Sequence, residues 1–105
     1  MSDTKYRSVF RPDLFAGQAV IVTGGGSGIG RCTAHELAHL GAGVALVGRK
    51  IDKLVAVKAE IEDAAGARVS IHSCDIRDEP GVRQMIADVI AQHGRIDGLV
   101  NNAGG

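Results

Sequence analysis

The sequence predicts an α/β fold, in which a doubly wound parallel sheet carries helices on both faces. Four short apolar runs are separated by longer stretches with helical spacing, which gives the order β-α-β-α-β-α-β. The runs are apolar on both faces, as expected for the buried strands of a parallel sheet. Glycines follow the first run at once and stand at the end of each helical stretch. Alternation of this kind implies right-handed crossovers between parallel strands.

Composition limits the chain to one domain and excludes several classes of protein. The 105 residues are 45% hydrophobic, with twelve basic and twelve acidic side chains, which is too apolar and too nearly neutral for disorder. A neutral chain lacks the basic patch that nucleic-acid binding usually needs, so no nucleic-acid partner is expected. No apolar run reaches the about 18 to 20 residues of a membrane helix, so no membrane partner is expected.

The first element is a predicted N-terminal arm, residues 1–16, ahead of a predicted domain at residues 17–105. The arm is polar, mixed in charge and broken by Pro12, with Leu14 and Phe15 as an apolar anchor. Its start has no apolar core and no small-residue cleavage site, so no signal peptide is predicted. Cys32 and Cys74 are far apart, and we interpret them as free, packing residues of a cytoplasmic protein.

The strands and helices follow in alternation. The predicted strands are residues 19–22, 44–47, 69–74 and 99–100, the last together with Ile96. The predicted buried face of the first helix is Ile29, Thr33, Leu37 and Leu40, that of the second Leu54, Val57, Ile61 and Ala64, and that of the third Val82, Met85, Ile86 and Val89. Pro80 suits the first turn of the third helix, and Gly41, Gly66 and Gly94 supply the helix ends.

A glycine-rich loop joins the first strand directly to the first helix. It reads Thr23-Gly24-Gly25-Gly26-Ser27-Gly28-Ile29-Gly30. A dinucleotide pyrophosphate needs a tight turn, close approach of the backbone and free amides at a helix N-terminus, and Gly24, Gly28 and Gly30 can supply these in order. The spacing is neither G-x-G-x-x-G nor a Walker loop, because position 29 is isoleucine and no Lys-Ser or Lys-Thr pair follows. The alternative is a merely flexible loop.

Three motifs together resemble those of the short-chain dehydrogenases/reductases. They are Thr23-Gly24-x-x-x-Gly28-x-Gly30, Asp75 after the third strand and Asn101-Asn102-Ala103-Gly104 after the fourth. The resemblance covers the whole chain after the arm and implies a Rossmann-type sheet, here incomplete, with strand order 3-2-1-4. Ligands of such sheets bind beyond the carboxyl ends of the strands, where the loops after strands one, three and four would meet.

The resemblance also implies a role for individual residues. Gly24, Ser27, Gly28 and Ile29 would line the pyrophosphate, and Gly30 would belong to the same cofactor-binding loop. Asp75 would accept a hydrogen bond from the adenine amino group, with the Ile76 backbone nearby. Asn102, Ala103 and Gly104 would pass beside the adenosine ribose toward the nicotinamide. Two alternatives remain open, because Asp75 could cap a helix or turn, and Asn101 is better interpreted as a brace between strands.

The end of the second strand bears on the choice of nicotinamide cofactor. NAD usually requires an acidic side chain there for the ribose hydroxyls, whereas this chain has Gly48-Arg49-Lys50. A guanidinium binds a phosphate with a paired hydrogen-bond fork, so Arg49 and Lys50 favour NADP(H). Two observations keep NAD(H) open. The two cations could be solvated residues at the start of a helix, and many relatives that prefer NADP carry a basic residue where this chain has Ser27.

The segment His35-Glu36-Leu37-Ala38-His39 matches the zinc-peptidase pattern H-E-x-x-H. Two histidines one helical turn apart can chelate zinc. Helical phase, at ~100° per residue, puts them away from the predicted buried face and toward solvent. A catalytic zinc also needs a third ligand, and none is marked. No metal site is therefore predicted.

Catalytic residues of the resembled family are not found in this sequence. The family transfers a hydride, commonly with a serine and a Tyr-x-x-x-Lys motif, but the sole tyrosine here is Tyr6 in the arm. We therefore expect residues 17–105 to be the cofactor-binding half of an oxidoreductase. The alternative is a non-catalytic dinucleotide-binding or regulatory module. The arm and the Asn-Asn-Ala-Gly-Gly ending resemble a bacterial subgroup similar to the peroxisomal trans-2-enoyl-CoA and 2,4-dienoyl-CoA reductases and to the citronellol/citronellal dehydrogenases. This resemblance implies a hydrophobic acyl-CoA, alcohol or carbonyl substrate, and that to the family implies a homo-oligomer, a dimer or tetramer.

Overall fold

The computed structural model describes residues 10–102, and the sheet within them has the predicted order. The elements are β1 (Ala19–Thr23), α1 (Gly28–His39), β2 (Gly43–Gly48), α2 (Ile51–Ala65), β3 (Val69–Ser73), α3 (Glu79–His93) and β4 (Gly98–Val100). All strand pairs are parallel, and the order across the sheet is β3-β2-β1-β4. The α/β fold and the 3-2-1-4 strand order are thus confirmed.

The two faces of the sheet bury two separate apolar clusters, because successive strand residues point to opposite faces. Val22 of β1 and Leu46 of β2 pack beneath α1 and α2 in the larger cluster. Ile21 and Val47, one position away on the same strands, pack with α3 in the smaller cluster. The predicted burial of Leu54, Val57 and Ile61 in α2, and of Met85 and Val89 in α3, is confirmed.

The helices end where the glycines predict. Gly66 and Gly94 close α2 and α3 in the left-handed conformation, with φ of 65° and 82°, which suits a residue without a Cβ. Gly41, with φ of 99°, follows the end of α1. Pro80 lies in the first turn of α3, where its missing N–H has no helical partner to lose.

The predicted buried face of α1 is wrong in part. The residues of α1 that face the sheet are Gly30, Ala34 and Ala38, whereas Ile29 is 76% exposed and Thr33 and Leu37 are half-buried. Small side chains let this helix lie close to the sheet, and the large aliphatic residues fall beside that contact line. Ala64 of α2 and Ile86 of α3, also predicted as buried, are exposed.

Because the buried face of α1 differs from the predicted one, its cysteine and histidines also lie in environments other than those expected. Cys32 is exposed, so its interpretation as a packing residue is wrong, while Cys74 is buried as expected. His39 is exposed, but His35 is half-buried against α2, where its Nε2 lies 3.0 Å from Glu60 Oε1. Arg31 donates two hydrogen bonds to the same carboxylate and, with His35, lowers the pKa of Glu60.

The end of the predicted arm is held to the domain by Phe15. Its backbone N–H donates to Leu40 O at 2.9 Å, and its ring packs on the larger cluster, whereas Leu14 remains exposed. Residues 1–9, with Tyr6, lie outside the described residues. None of the helices between residues 10 and 102 is long and apolar enough to cross a membrane.

Candidate functional site

A cleft of about 730 Å³ opens at the carboxyl ends of the strands. It collects residues from four separate loops, as expected where such a sheet changes the direction of its crossovers. The lining residues are Gly24, Ser27, Gly28, Ile29, Val47, Gly48, Arg49, Cys74, Asp75, Ile76, Arg77 and Asn102. Most of the predicted site residues are therefore brought together. Gly30 and Lys50 are not among the lining residues, and Ala103 and Gly104 lie outside the described residues.

The glycine loop forms one wall of the cleft. Gly24 has a φ of 65°, and its N–H donates to Val47 O at 2.8 Å, which ties the loop to the end of β2. Gly30 faces inward, and a Cβ on it would overlap the carbonyl oxygen of Gly24. Gly28 has a φ of 58°, and a Cβ on it would meet no atom within 4 Å. The absence of a side chain at Gly30 therefore allows its close contact with the Gly24 carbonyl, and the absence of one at Gly28 leaves the backbone of the loop accessible from the cleft.

The hydroxyl of Thr23 fixes the segment after β4 to this loop. Asn102 N donates to Thr23 Oγ1 at 2.9 Å. The hydroxyl proton can then go to Val100 O at 3.2 Å or to Asn101 Oδ1 at 3.3 Å, so Asn101 braces neighbouring strand ends as interpreted. Thr23 was not predicted to have a role of its own. The available signal was a polar residue at the end of a buried strand, because buried hydroxyls need partners.

Asp75 forms the acidic side of the cleft together with Arg77, which the sequence did not single out. Asp75 Oδ1 accepts from the Arg77 backbone N at 3.0 Å and from Nε at 3.1 Å. Asp75 Oδ2 accepts from Nη2 at 3.0 Å. These hydrogen bonds hold the pKa of Asp75 at about 2. Asp75 therefore caps the turn after β3, as one of the two alternatives expected, and it also lines the cleft.

Arg49 forms the basic side of the cleft at the end of β2. Among residues 10–102 its guanidinium forms no hydrogen bond or close ion pair, although its charge contributes to the lowered pKa of Asp75. Lys50 is exposed and precedes the first turn of α2. Within residues 10–102, the cleft therefore presents bare glycine backbone, the Arg49 guanidinium without a hydrogen-bond partner, and the ionised carboxylate of Asp75.

The H-E-x-x-H segment lies on α1 outside this cleft. Among residues 10–102, no group of three His, Cys, Asp or Glu side chains is placed to hold a metal ion. The nearest carboxylate of α2, Glu60, is engaged by Arg31 and His35.

Comparison with protein families and curated proteins gives consistent matches over this region. The family profile described as short chain dehydrogenase matches residues 18–105. A "Glucose 1-dehydrogenase" of Gluconobacter oxydans (strain 621H) is 46% identical over 92 residues, which cover 88% of this chain and 35% of that protein. A "Probable 2,4-dienoyl-CoA reductase" of Bacillus subtilis (strain 168) is 39% identical over 88 residues, covering 84% of this chain and 34% of that protein. The chain spans about a third of the length of these curated relatives.

Solved structures match the fold closely. A citronellol catabolism dehydrogenase from Pseudomonas aeruginosa PAO1 superposes with a TM-score of 0.90 at 61% identity, covering 94% of this chain and 41% of that chain. A metagenomic short-chain oxidoreductase in complex with NADP superposes with a TM-score of 0.80 at 44% identity, covering 86% of this chain and 40% of that chain.

Proposed function

The chain belongs to the short chain dehydrogenase family, and from that premise we propose that its cleft binds NADP(H) as the coenzyme of an oxidoreductase. When bound, the nicotinamide supplies or accepts the hydride of the reaction. The family uses nicotinamide dinucleotides, so the proposal concerns the residues that hold the coenzyme, the preference for the 2'-phosphate and the class of substrate.

The glycine loop supports the placement of the pyrophosphate. Gly28 offers backbone with no side chain and open space in front of it. The Ser27 side chain does not cap α1, so the first N–H groups of the helix remain for an anionic ligand. Ile29, mostly exposed beside them, offers an apolar contact. A phosphate group is therefore compatible with these residues in both space and charge.

Residues on the other loops would hold the adenosine and lead toward the nicotinamide. Asp75, ionised and half-buried in the cleft, would accept from the adenine amino group, with Ile76 beside it. Asn102, fixed by its backbone to Thr23, would face the ribose. We propose that Ala103 and Gly104 continue this wall of the site.

Arg49 is the single observation that carries the preference for NADP(H). Asp75, the carboxylate whose pKa the charge of Arg49 helps to lower, already has Arg77 as its partner, so the Arg49 guanidinium is left for a ligand. Gly48 stands where NAD-binding proteins usually carry an acid, and Lys50 adds a second cation. A related structure at 44% identity holds NADP, which supports the same choice. NAD(H) is the alternative coenzyme.

We further propose that residues 17–105 are the cofactor-binding half of a cytoplasmic, homo-oligomeric enzyme, with residues 1–16 as an arm. The substrate would be hydrophobic, a terpenoid alcohol or carbonyl compound or an acyl-CoA. The names of two similar proteins, a citronellol catabolism dehydrogenase and a 2,4-dienoyl-CoA reductase, support these two classes. Catalytic residues are not assigned within this sequence. No observation on residues 10–102 favours the alternative of a non-catalytic module.

Isothermal titration of the full protein with NADPH and with NADH tests the proposal. We expect both to bind, with NADPH binding more tightly. The absence of binding by either dinucleotide would refute the assignment of the cleft, and tighter binding of NADH would refute the role of Arg49. Turnover of a terpenoid alcohol with the preferred coenzyme would then separate the enzyme from the non-catalytic module.

A further inference from the structure

We propose that Arg77 is a positioning residue for the adenine end of the coenzyme. Its guanidinium holds the Asp75 carboxylate so that one lone pair, on Oδ2, is left for the exocyclic amino group of adenine. This inference rests on the proposed function, since it concerns the same cleft. Arg77 would make the site select a base that donates a hydrogen at this position.

The hydrogen bonds of the Asp75 carboxylate determine which oxygen remains open. An ionised carboxylate can accept about four hydrogen bonds, two at each oxygen. Oδ1 already accepts two, from the backbone N and from Nε of Arg77. Oδ2 accepts one, from Nη2 of Arg77. The arrangement leaves a single acceptor position, and it lies on a residue that lines the cleft.

Arg77 contacts Asp75 through its backbone and through its side chain, and the two contacts have different roles. The backbone contact forms the turn, and the side-chain contact positions the carboxylate. The backbone N of Arg77 holds Oδ1 at 3.0 Å whatever the side chain at position 77 is, and Asp78 N closes the same turn on Asp75 O at 2.9 Å. The guanidinium adds two further bonds that fix the rotation of the carboxylate. Removing the side chain should therefore leave the turn and its bond to Oδ1 intact, while Oδ2 is held less firmly.

The chemistry of the base follows from this arrangement. A carboxylate held ionised is only an acceptor, so it can bind the amino group of adenine. It cannot bind the carbonyl oxygen that hypoxanthine carries at the same position. A carboxylate whose Oδ2 is held less firmly loses part of this preference, because ordering it on binding costs conformational entropy. The lowered pKa of Asp75 agrees with a group that remains ionised throughout.

The test compares NADPH with its deaminated analogue, in which hypoxanthine replaces adenine. Dissociation constants are measured by titration calorimetry for the wild type and Arg77→Ala at one salt concentration and pH 7. We expect the wild type to prefer NADPH. Arg77→Ala should weaken NADPH binding about three- to tenfold, because the variant must order the carboxylate on binding, and should leave binding of the analogue almost unchanged. The ratio of the two constants should fall accordingly.

Arg83→Ala is the matched control, because the Arg83 side chain is 78% exposed, compared with 76% for Arg77, and also pairs with a carboxylate, that of Glu79 on α3, with Nη2 to Oε1 at 2.8 Å. It should leave both dissociation constants unchanged. If Arg77→Ala does not fold, Arg77→Gln replaces it, since glutamine keeps a donor but cannot hold both carboxylate oxygens.

The outcomes separate this inference from the proposed function. Equal weakening of both ligands would make Arg77 a structural residue and overturn the inference, as would no change in either. A wild type that binds both ligands equally would overturn the inference and leave coenzyme binding standing. A wild type that binds neither would overturn the proposed function, and the inference with it.

Discussion

At the scale of single residues, two glycines of the same loop are required for different reasons. Gly30 packs against the Gly24 carbonyl and has no room for a Cβ, whereas Gly28 faces open space with a φ of 58°. Substitution of Gly30 should therefore disturb the loop itself, and substitution of Gly28 should disturb mainly what binds in front of it. The two positions distinguish folding from ligand binding within one motif.

We predict that Gly28→Ala weakens NADPH binding at least tenfold, because the new methyl group occupies the surface proposed for the pyrophosphate. Gly66→Ala is the matched control, since Gly66 has a φ of 65° and equally open surroundings but ends α2 away from the cleft. Each should lose about 1 to 2 kcal/mol of stability from the left-handed backbone. Thermal melts and calorimetry measure both quantities. Equal NADPH affinity in the two variants would remove Gly28 from the site.

The charge at the end of β2 gives a second residue-scale prediction. Arg49→Ala should weaken NADPH binding about ten- to a hundredfold, since a charge-assisted hydrogen bond contributes about 1.5 to 3 kcal/mol. NADH, without the 2'-phosphate, should be little affected. Arg49→Asp should repel NADPH further and offer the free ribose an acceptor.

The double variant Arg49→Ala with Lys50→Ala tests for compensation by the neighbouring cation. The ratio of the NADPH and NADH dissociation constants is measured at fixed ionic strength, because exposed charges are screened. An unchanged ratio in the double variant would make Arg49 a solvated residue.

At the scale of elements, a hydrogen-bonded trio joins β3 to α3. Ser70 Oγ lies 2.7 Å from Nε2 of both His72 and His93. The hydroxyl can donate to one imidazole and accept from the other, and the imidazole that accepts the hydroxyl proton must be neutral. Burial lowers the pKa of both histidines, and the positive charge of Arg68 lowers that of His93 further. The carboxylate of Asp88 on α3 acts in the opposite direction on His72.

This trio predicts that the protein loses stability on mild acidification. A histidine whose folded pKa lies below its unfolded value of about 6.5 binds fewer protons when folded, so the stability falls as the pH drops below about 6.5. The slope is at most about 1.4 kcal/mol per pH unit for each histidine. Urea melts of the wild type at pH 7.5, 6.5 and 5.5 should show the loss, and His72→Gln with His93→Gln should flatten it. An unchanged slope in the double variant would contradict the assignment.

The elements also show what sequence patterns can predict. The strand order and the helix ends were predictable, because buried parallel strands are apolar runs and glycine alone readily adopts the left-handed cap. The buried face of α1 could not be predicted in the same way. A search for helical periodicity looks for large aliphatic residues, whereas the residues of α1 that pack on this sheet are Gly30, Ala34 and Ala38. Ile29 is therefore not the core residue that the periodicity predicts, and it lines the cleft instead.

The candidate site was predictable to the extent that it depends on strand ends. Residues that follow parallel strands meet at one edge, so Gly28, Asp75 and Asn102 could be grouped before their distances were known. Arg77 and Thr23 were missed because their importance lies in hydrogen-bond partners: Arg77 in its fork on Asp75, and Thr23 in its contact to a residue 79 positions away in sequence.

At the scale of the whole molecule, the sheet is covered unevenly. Within residues 10–102, α1 and α2 pack on one face and α3 on the other, and β4 lies at the edge of the sheet with Leu99 62% exposed. An apolar edge strand is a template for pairing with another chain. The chain also has no net charge at pH 7, which reduces repulsion between copies.

We predict that the 105-residue chain, expressed by itself, self-associates near neutral pH. Leu99→Lys should reduce this association, because a charge on an edge strand opposes pairing. Val55→Lys is the control, because it adds the same charge at a residue of α2 that is 50% exposed and lies away from the edge strand. Sedimentation velocity over a range of concentrations measures the effect. Equal behaviour of the two variants would show that the β4 edge is not the contact.

The central claim is that this cleft holds NADP(H) with its 2'-phosphate at Arg49, and a structure of the full protein with NADPH bound tests it most directly. We predict the pyrophosphate against Gly28, the adenine amino group at Asp75 Oδ2, and the 2'-phosphate within hydrogen-bonding distance of the Arg49 guanidinium. A dinucleotide bound elsewhere would contradict the site. A 2'-phosphate that points into solvent, away from Arg49, would contradict the choice of coenzyme.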